Sequence, residues 1–283
     1  MQPISMTQRV CLVTGGNSGI GFEMCRGMAK AGFHVVMVSR GKERGAPALE
    51  KLQSEFGESI EMMLCDMSDL ENIPILCAEY TAKFDRLDVL LNNAGALWGN
   101  REHTAQGNEM TFGVNHLGYF AMTQAFLPLL KSTENSRIVN TASEAHKMSR
   151  LDFTNLNFEN KRYSQWRTYC NSKLCNILFT RELARQLEGT GIITHSFHPG
   201  VVRTRFAEDA RGIMRLFWPL FRLTMIGSKR GAKTGLHLAL SDDAGSSTGE
   251  YWSTSKRRKG NRAARNDVNA TRLWELTEKM LDE

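Results

Sequence analysis

A chain of 283 residues has room for one large α/β domain with a sizeable core. Its 41% hydrophobic and 23% charged residues argue against a disordered or fibrous chain, and its formal net charge is +6. No run of about 18 uninterrupted apolar residues occurs, so a spanning helix is not expected, and residues 1–9 show no charged-then-apolar signal segment.

Strand-like and helix-like segments then alternate in chain order. A strand over 9–14 runs into a glycine-rich turn and a helix over 19–31. A strand over 33–39 precedes a helix over 43–56, and a short strand over 60–64 precedes a helix over 70–84. The apolar strand 87–91 closes on Asn92-Asn-Ala-Gly95. A long helix over 113–130, a strand over 137–140 and a helix over 164–186 follow. The strand 192–197 ends at His198-Pro-Gly200, and a helix covers 229–240. Residues 250–252 read as a short edge strand and 264–281 as the last helix. The strands are short, apolar and β-branched, as strands covered on both faces should be. The alternation predicts an α/β fold: a Rossmann-type, doubly wound parallel sheet of about seven strands flanked by helices, a three-layer α/β/α sandwich. No linker divides the chain, so 1–283 reads as a single domain.

Six cysteines (Cys11, Cys25, Cys65, Cys77, Cys170 and Cys175) form no Cys-x-x-Cys pair. Several lie in apolar segments, where a free thiol behaves as a small hydrophobe. Reduced thiols and a cytoplasmic location are expected. The basic run Lys256-Arg-Arg-Lys259, with Arg262 and Arg265, reads as a solvated loop. It is accompanied by no nucleic-acid motif, so no nucleic-acid partner is expected.

The first turn reads Thr14-Gly-Gly-Asn-Ser-Gly-Ile-Gly21. Gly15, Gly19 and Gly21, with Asn17, Ser18 and Ile20 between them, lie between a strand and a helix. Glycines there permit a tight turn and close approach of the backbone to a pyrophosphate at the helix N-terminus. NAD sites usually carry an acidic residue at the end of the second strand. Here Ser39 and Arg40 stand there: no carboxylate to repel a 2′-phosphate, and a guanidinium to pair with it. NADP(H) is therefore the expected cofactor, and no metal is expected.

Together with that turn, Asn92-Asn-Ala-Gly95, Asn115, Ser143 and Tyr169-x-x-x-Lys173 follow the order of the short-chain dehydrogenase/reductase family, which the chain resembles from about residue 9 to its end. A finer likeness is to the retinol-dehydrogenase-like branch. It lies in Val114-Asn-His-Leu-Gly118, Ile138-Val-Asn-Thr-Ala-Ser143 with Ala145-His-Lys147, Leu156-Asn-Phe158, Ser172-Lys-Leu-Cys-Asn-Ile177 and His198-Pro-Gly-Val-Val202. Two departures stand out. Membrane-bound members of that branch begin with an apolar anchor, which is not expected here, where residues 1–9 are short and polar. Ala142 also stands where such relatives often carry a second serine.

The resemblance implies an NADP(H)-dependent oxidoreductase that interconverts an alcohol and a carbonyl. Tyr169 and Lys173, at i and i+4 on one helix, share a face. A nearby ammonium favours the phenolate, so Tyr169 can take a proton from an alcohol or give one to a carbonyl oxygen. The resemblance further implies that Ser143 bonds the substrate oxygen, Lys173 the nicotinamide ribose, and Asn115 a water-linked proton relay. It also implies cofactor contacts at Asp66, Met67, Asn92, Ala94, Gly95, Pro199, Gly200, Val202 and Thr204.

The substrate-binding loop is expected at about 203–231. Residues 213–226 carry Phe217, Phe221 and other large apolar side chains, and Arg215, Pro219 and Arg222 recur on one face. An amphipathic lid over a lipophilic substrate is one reading. Packing on the chain's own core, a subunit contact and a membrane-surface contact are the others. Trp98, His146 and Trp166 are further candidates for the pocket wall. Helices 113–130 and 164–186 resemble those that pair in this family's homo-oligomers. Competing functions are a sugar-nucleotide epimerase or dehydratase, whose Gly-x-x-Gly-x-x-Gly turn is missing, and a catalytically silent NADP(H)-binding regulator, which commonly loses the tyrosine or lysine that this chain keeps.

Overall fold

The computed structural model describes residues 8–160, 162–200 and 226–282. The expectations for Val202, Thr204, Phe217, Phe221 and most of the 203–231 segment lie outside the described residues.

Seven strands run parallel: β1 (Val10–Thr14), β2 (His34–Ser39), β3 (Ile60–Leu64), β4 (Val89–Asn92), β5 (Arg137–Thr141), β6 (Ile193–His198) and β7 (Glu250–Ser253). The sheet order is β3-β2-β1-β4-β5-β6-β7, closed by an eighth strand, β8 (Lys256–Arg258). The long helices are α1 (Gly19–Lys30), α2 (Lys42–Phe56), α3 (Asn72–Thr81), α4 (Gly118–Ser132), α5 (Gln165–Gln186), α6 (Ser228–Leu240) and α7 (Asp267–Asp282).

Side-chain alternation along the strands explains the three layers. Val10, Leu12, Val36, Val38, Leu90 and Ile138 face one way and pack against α3, α4 and α5 through Leu76, Tyr80, Phe120, Phe126 and Phe179. The intervening Cys11, Val13, Val35, Met37, Leu91 and Val139 face the other way, onto Met24, Met28, Leu52 and Leu238 of α1, α2 and α6. A strand covered on both faces can be apolar at every position, and β1 and β2 are buried throughout.

The expected Rossmann-type sheet is present with one more strand than about seven. The basic run is not a loop: β8 pairs antiparallel with β7, in the register Tyr251↔Arg258, Trp252↔Arg257 and Ser253↔Lys256. The connecting Thr254 and Ser255 both have positive φ, 53° and 55°. Such a two-residue hairpin usually carries Asn-Gly, whose absence hides the turn in the sequence. β7 is accordingly internal, and a charged β8 forms the edge, where charge discourages pairing with another chain.

The helix expected over 113–130 is interrupted. Met110–Phe112 form one helical turn, Gly113–Leu117 a π-helical turn, and α4 starts at Gly118. The six cysteines are free thiols, five of them buried. Among the described residues no helix is long and apolar enough to cross a membrane.

Candidate active site

Strand order reverses between β1 and β4, because β2 and β3 lie to one side of β1 while β5, β6 and β7 lie beyond β4. At such a switch point the turns after the strands diverge and leave a crevice at their carboxyl ends. Of the side chains singled out in the sequence, Asn115, Ser143, Tyr169 and Lys173 gather near the ends of β4 and β5.

The turn after β1 forms a cradle. Gly15 and Gly19 adopt φ of +65° and +55°, and a Cβ on Gly21 would lie 2.2 Å from the Gly15 carbonyl oxygen. Ser18 is the N-cap of α1, yet its side chain caps nothing, and the first turn holds no acidic residue. An uncapped helix N-terminus behind a close glycine turn suits a pyrophosphate. Thr14 at the end of β1 locks the cradle to the neighbouring turn. Its Oγ1 accepts from the backbone N–H groups of Asn93 (2.8 Å) and Ala94 (3.0 Å), and the Asn93 amide donates to the Thr14 carbonyl at 3.0 Å. Thr14 is a site residue that the glycine spacing alone does not reveal.

At the end of β2, Ser39 is buried and its hydroxyl donates to the Gly41 carbonyl at 3.1 Å. Arg40 beside it is exposed, with no ion-pair partner among the described residues. Past β3, Asp66 is half-buried, and its carboxylate accepts from the Ser68 N–H (3.0 Å) and hydroxyl (2.7 Å). Pro199 and Gly200 follow β6, where Gly200 has a φ of +94°.

Two residues expected to contact the cofactor turn their side chains inward, which leaves only their backbone to meet it. Asn92 does not face the crevice: its fully buried amide donates inward to Thr123 Oγ1 (3.1 Å) and Asn140 Oδ1 (3.0 Å). Met67 sends its side chain into the apolar layer, with its Cε against Gly118.

The π-helical turn carries Asn115 into the interior. Its Oδ1 accepts from the Ala96 N–H at 2.9 Å, and its Nδ2 donates to the Ala96 carbonyl (3.0 Å) and to Ser172 Oγ (3.2 Å). A π-turn widens the helix by one residue and often marks functional sites. Glu109 sets up this segment as a buried N-cap, which the sequence reading missed although it stands just before an apolar run. Its carboxylate accepts from Thr111 N (3.0 Å), Phe112 N (2.8 Å) and Tyr163 Oη (3.0 Å).

Tyr169 and Lys173 project from one face of α5. Lys173 Nζ donates to the Thr141 carbonyl at the end of β5 (3.0 Å) and lies 5.7 Å from the Tyr169 ring. Burial alone pushes the Lys173 ammonium down to about 7. Burial pushes the Tyr169 phenol up to about 12, against the pull of its hydrogen bond with Ser143. Ser143 follows β5 and caps a short 3₁₀ turn, its Oγ accepting from Ala145 N at 3.2 Å. A Cβ on Gly95 would lie 2.8 Å from Asn115 Oδ1 and 3.6 Å from Lys173 Nζ, so the turn after β4 presses against both. A protonated phenol, a hydroxyl and a buried amine thus share one end of the crevice, an arrangement that can exchange a proton with a substrate oxygen.

Of the expected pocket residues, Trp166 stacks on Tyr169, with centroids 5.8 Å apart. Trp98 is half-buried, and its carbonyl accepts from Tyr163 Oη at 3.1 Å. His146 is corrected. It is fully buried, with Nδ1 2.7 Å from the Ser143 carbonyl and Nε2 accepting from Asn261 N at 3.3 Å, so it supports the Ser143 turn and lines no pocket.

The profile of the family described as short chain dehydrogenase matches residues 9–212. Retinol dehydrogenase 12 of Homo sapiens is 37% identical over 279 residues, covering 98% of this chain and 88% of that protein. Among solved structures, an uncharacterized protein from Mycobacterium paratuberculosis matches with a TM-score of 0.79 and 29% identity, over 99% of this chain and 96% of that one. The Pseudomonas aeruginosa RhlG/NADP active-site complex matches with a TM-score of 0.70 and 26% identity, over 89% and 97%.

Proposed function

Because this chain belongs to the short-chain dehydrogenase/reductase family, in its retinol-dehydrogenase-like branch, we propose that it interconverts an alcohol and a carbonyl with NADP(H), using Tyr169 as general acid/base. The observation that carries this reading is the convergence of Tyr169, Ser143 and Lys173 beside the glycine cradle.

The bound nicotinamide supplies or takes up the hydride. The protein's own residues handle the oxygen. Ser143 donates a hydrogen bond to the substrate oxygen and orients it. Tyr169, neutral at physiological pH because burial raises its pKa, gives its proton to a carbonyl oxygen during reduction. In the oxidising direction it must first become a phenolate, which a charged Lys173 favours. Asn115 fixes the turn after β4 against α5 through Ala96 and Ser172, and we place it in the relay that returns the proton. Lys173 would also bond the nicotinamide ribose. Gly15, Asn17, Ser18, Gly19, Ile20 and Gly21 hold the pyrophosphate.

The preference for NADP(H) rests on Arg40, exposed beside a strand end that carries serine in place of a carboxylate. The RhlG/NADP complex shows a structural relative with that cofactor. A lipophilic substrate is supported by the relatives that are retinol dehydrogenases. The test is a panel of aliphatic and aromatic aldehydes, ketones and alcohols, assayed with NADPH/NADP+ and with NADH/NAD+. Turnover of apolar carbonyls with NADPH at far lower KM than with NADH is expected. Equal use of both cofactors overturns the preference, and no turnover of any carbonyl overturns the reading.

A further inference from the structure

β7 and β8 place one arginine on each face of the sheet edge. Trp252 pairs with Arg257, whose guanidinium lies 5.5 Å from the indole ring and donates to Ser246 Oγ at 3.0 Å. The two-residue period then sends Arg258 to the opposite face, beside Tyr251. There it lines an open, solvent-facing depression of about 410 Å³, together with Glu144, Lys147, Tyr251, Ser253, Lys259 and Gly260, and both Arg258 and Lys259 are exposed.

This depression borders the turn that Ser143 caps. Glu144 directly follows Ser143, and Lys147 stands one turn further along the same 3₁₀ segment. A side chain at Gly260 would lie 3.3 Å from His146 Nε2, so the chain after β8 folds down onto the Ser143 turn.

Its charges do not cancel. The Glu144 carboxylate is already engaged: it accepts from Tyr251 Oη at 2.8 Å and pairs with Lys147 Nζ. Tyr251 and Lys147 thereby close the acidic side of the depression. Arg258 and Lys259 have no ion-pair partner among the described residues, which leaves two cations facing one neutralised pair. Protection of a sheet edge accounts for charge on β8, but it does not call for two cations without ion-pair partners grouped with Lys147 around a depression next to the Ser143 turn.

We propose that this depression binds an anionic group, a carboxylate or a phosphate, carried by the substrate at the end remote from its carbonyl, with Arg258 and Lys259 as its ligands. The inference rests on the reading of Ser143 and Tyr169 given above and narrows the substrate class to amphiphiles: a reacting carbonyl, an apolar chain and an anionic terminus. Arg258 supplies a planar fork for a two-oxygen contact and Lys259 a second point charge.

The test compares ω-oxoalkanoic acids of increasing chain length with their methyl esters, in NADPH-saturated enzyme. Wild type and the double variant Arg258→Gln/Lys259→Gln are assayed side by side. For the chain length that spans the two sites, the acid should have a KM about tenfold below that of its ester, the scale of one charge-assisted contact. The double variant should lose that difference while turning over the ester as wild type does. Inorganic phosphate should compete with the acid and leave the ester unaffected. Ester turnover without any preference for the acid overturns the anion site alone. A preference that survives the double substitution also overturns it. Inertness of both acid and ester overturns the reductase reading with it.

Discussion

Lys173 Nζ donates to the carbonyl oxygen of Thr141 at 3.0 Å. This contact ties the centre of α5 to the end of β5. The same nitrogen lies 5.6 Å from the Tyr119 ring and 5.7 Å from the Tyr169 ring, so the ammonium has one backbone acceptor and two aromatic faces for support. That environment does not replace lost hydration, and its pKa falls to about 7.

A stability consequence follows for the protein without cofactor. The folded-state pKa lies below the ordinary lysine value of 10.5. Between the two values the unfolded chain binds more protons, so the penalty for burying this lysine falls as pH rises. The penalty is full below about 7 and has vanished above the ordinary value. Denaturant unfolding of wild type and Lys173→Met, compared across this window, should show a difference that shifts in favour of wild type with rising pH. The slope should approach about 1.4 kcal/mol per pH unit. A pH-independent difference would show that the amine keeps an ordinary pKa.

Gly95→Ala tests how closely the turn after β4 is fitted to Asn115 and Lys173. The added methyl would lie 2.8 Å from Asn115 Oδ1, which is pinned by the Ala96 N–H. Either the amide or the turn must move. We expect kcat to fall at least tenfold, since small misplacements of positioned groups are costly. The loss in stability should stay within about 1–2 kcal/mol, because the site is at the crevice and not in the core. An unchanged kcat would mean that Asn115 has slack that the contacts do not suggest.

Arg40→Glu tests the cofactor preference. The substitution removes a cation and introduces the carboxylate that NAD sites carry near this position. KM for NADPH should rise by about ten- to a hundredfold, the scale of one or two charge-assisted hydrogen bonds, while KM for NADH falls or stays level. Parallel changes for both cofactors would place Arg40 away from the 2′-phosphate.

Much of this architecture was legible in the sequence because burial on both faces leaves a strong mark. Val10–Thr14 and His34–Ser39 are apolar almost throughout, and no solvent-facing strand reads that way. Ile60–Leu64 falls within the bounds that its pattern suggests. What escaped depended on geometry without a residue signature. The β7–β8 hairpin turns through Thr254 and Ser255 at positive φ, where neither residue type advertises a turn. The π-turn at Gly113–Leu117 preserves helical periodicity on both sides. In the site, Ser143, Tyr169 and Lys173 were recognisable by spacing and order. The inward turn of Asn92 was not, because a strand-end asparagine can face the crevice or the core, and only the Thr123 and Asn140 acceptors decide it. His146 belongs to the same class: its sequence neighbours place it near Ser143, but only the packing shows both ring nitrogens occupied.

The two directions of the reaction should depend differently on pH. A Tyr169 phenol pushed up to about 12 is protonated throughout the neutral range. Carbonyl reduction should therefore need no titration of Tyr169 between about pH 6 and 8, whereas alcohol oxidation, which requires the phenolate, should speed up as pH rises. Profiles of kcat/KM in both directions check this, and an oxidation rate that falls with rising pH would contradict it.

The most direct measurement is Tyr169→Phe, assayed for turnover and, separately, for NADPH binding by fluorescence titration. Loss of the hydroxyl with the ring retained should lower kcat by at least about a hundredfold to ten-thousandfold, the range of general acid–base catalysis, and leave the affinity for NADPH within about threefold of wild type, because the glycine cradle and Lys173 are untouched. Turnover near the wild-type rate would contradict the assignment of Tyr169 as the proton donor.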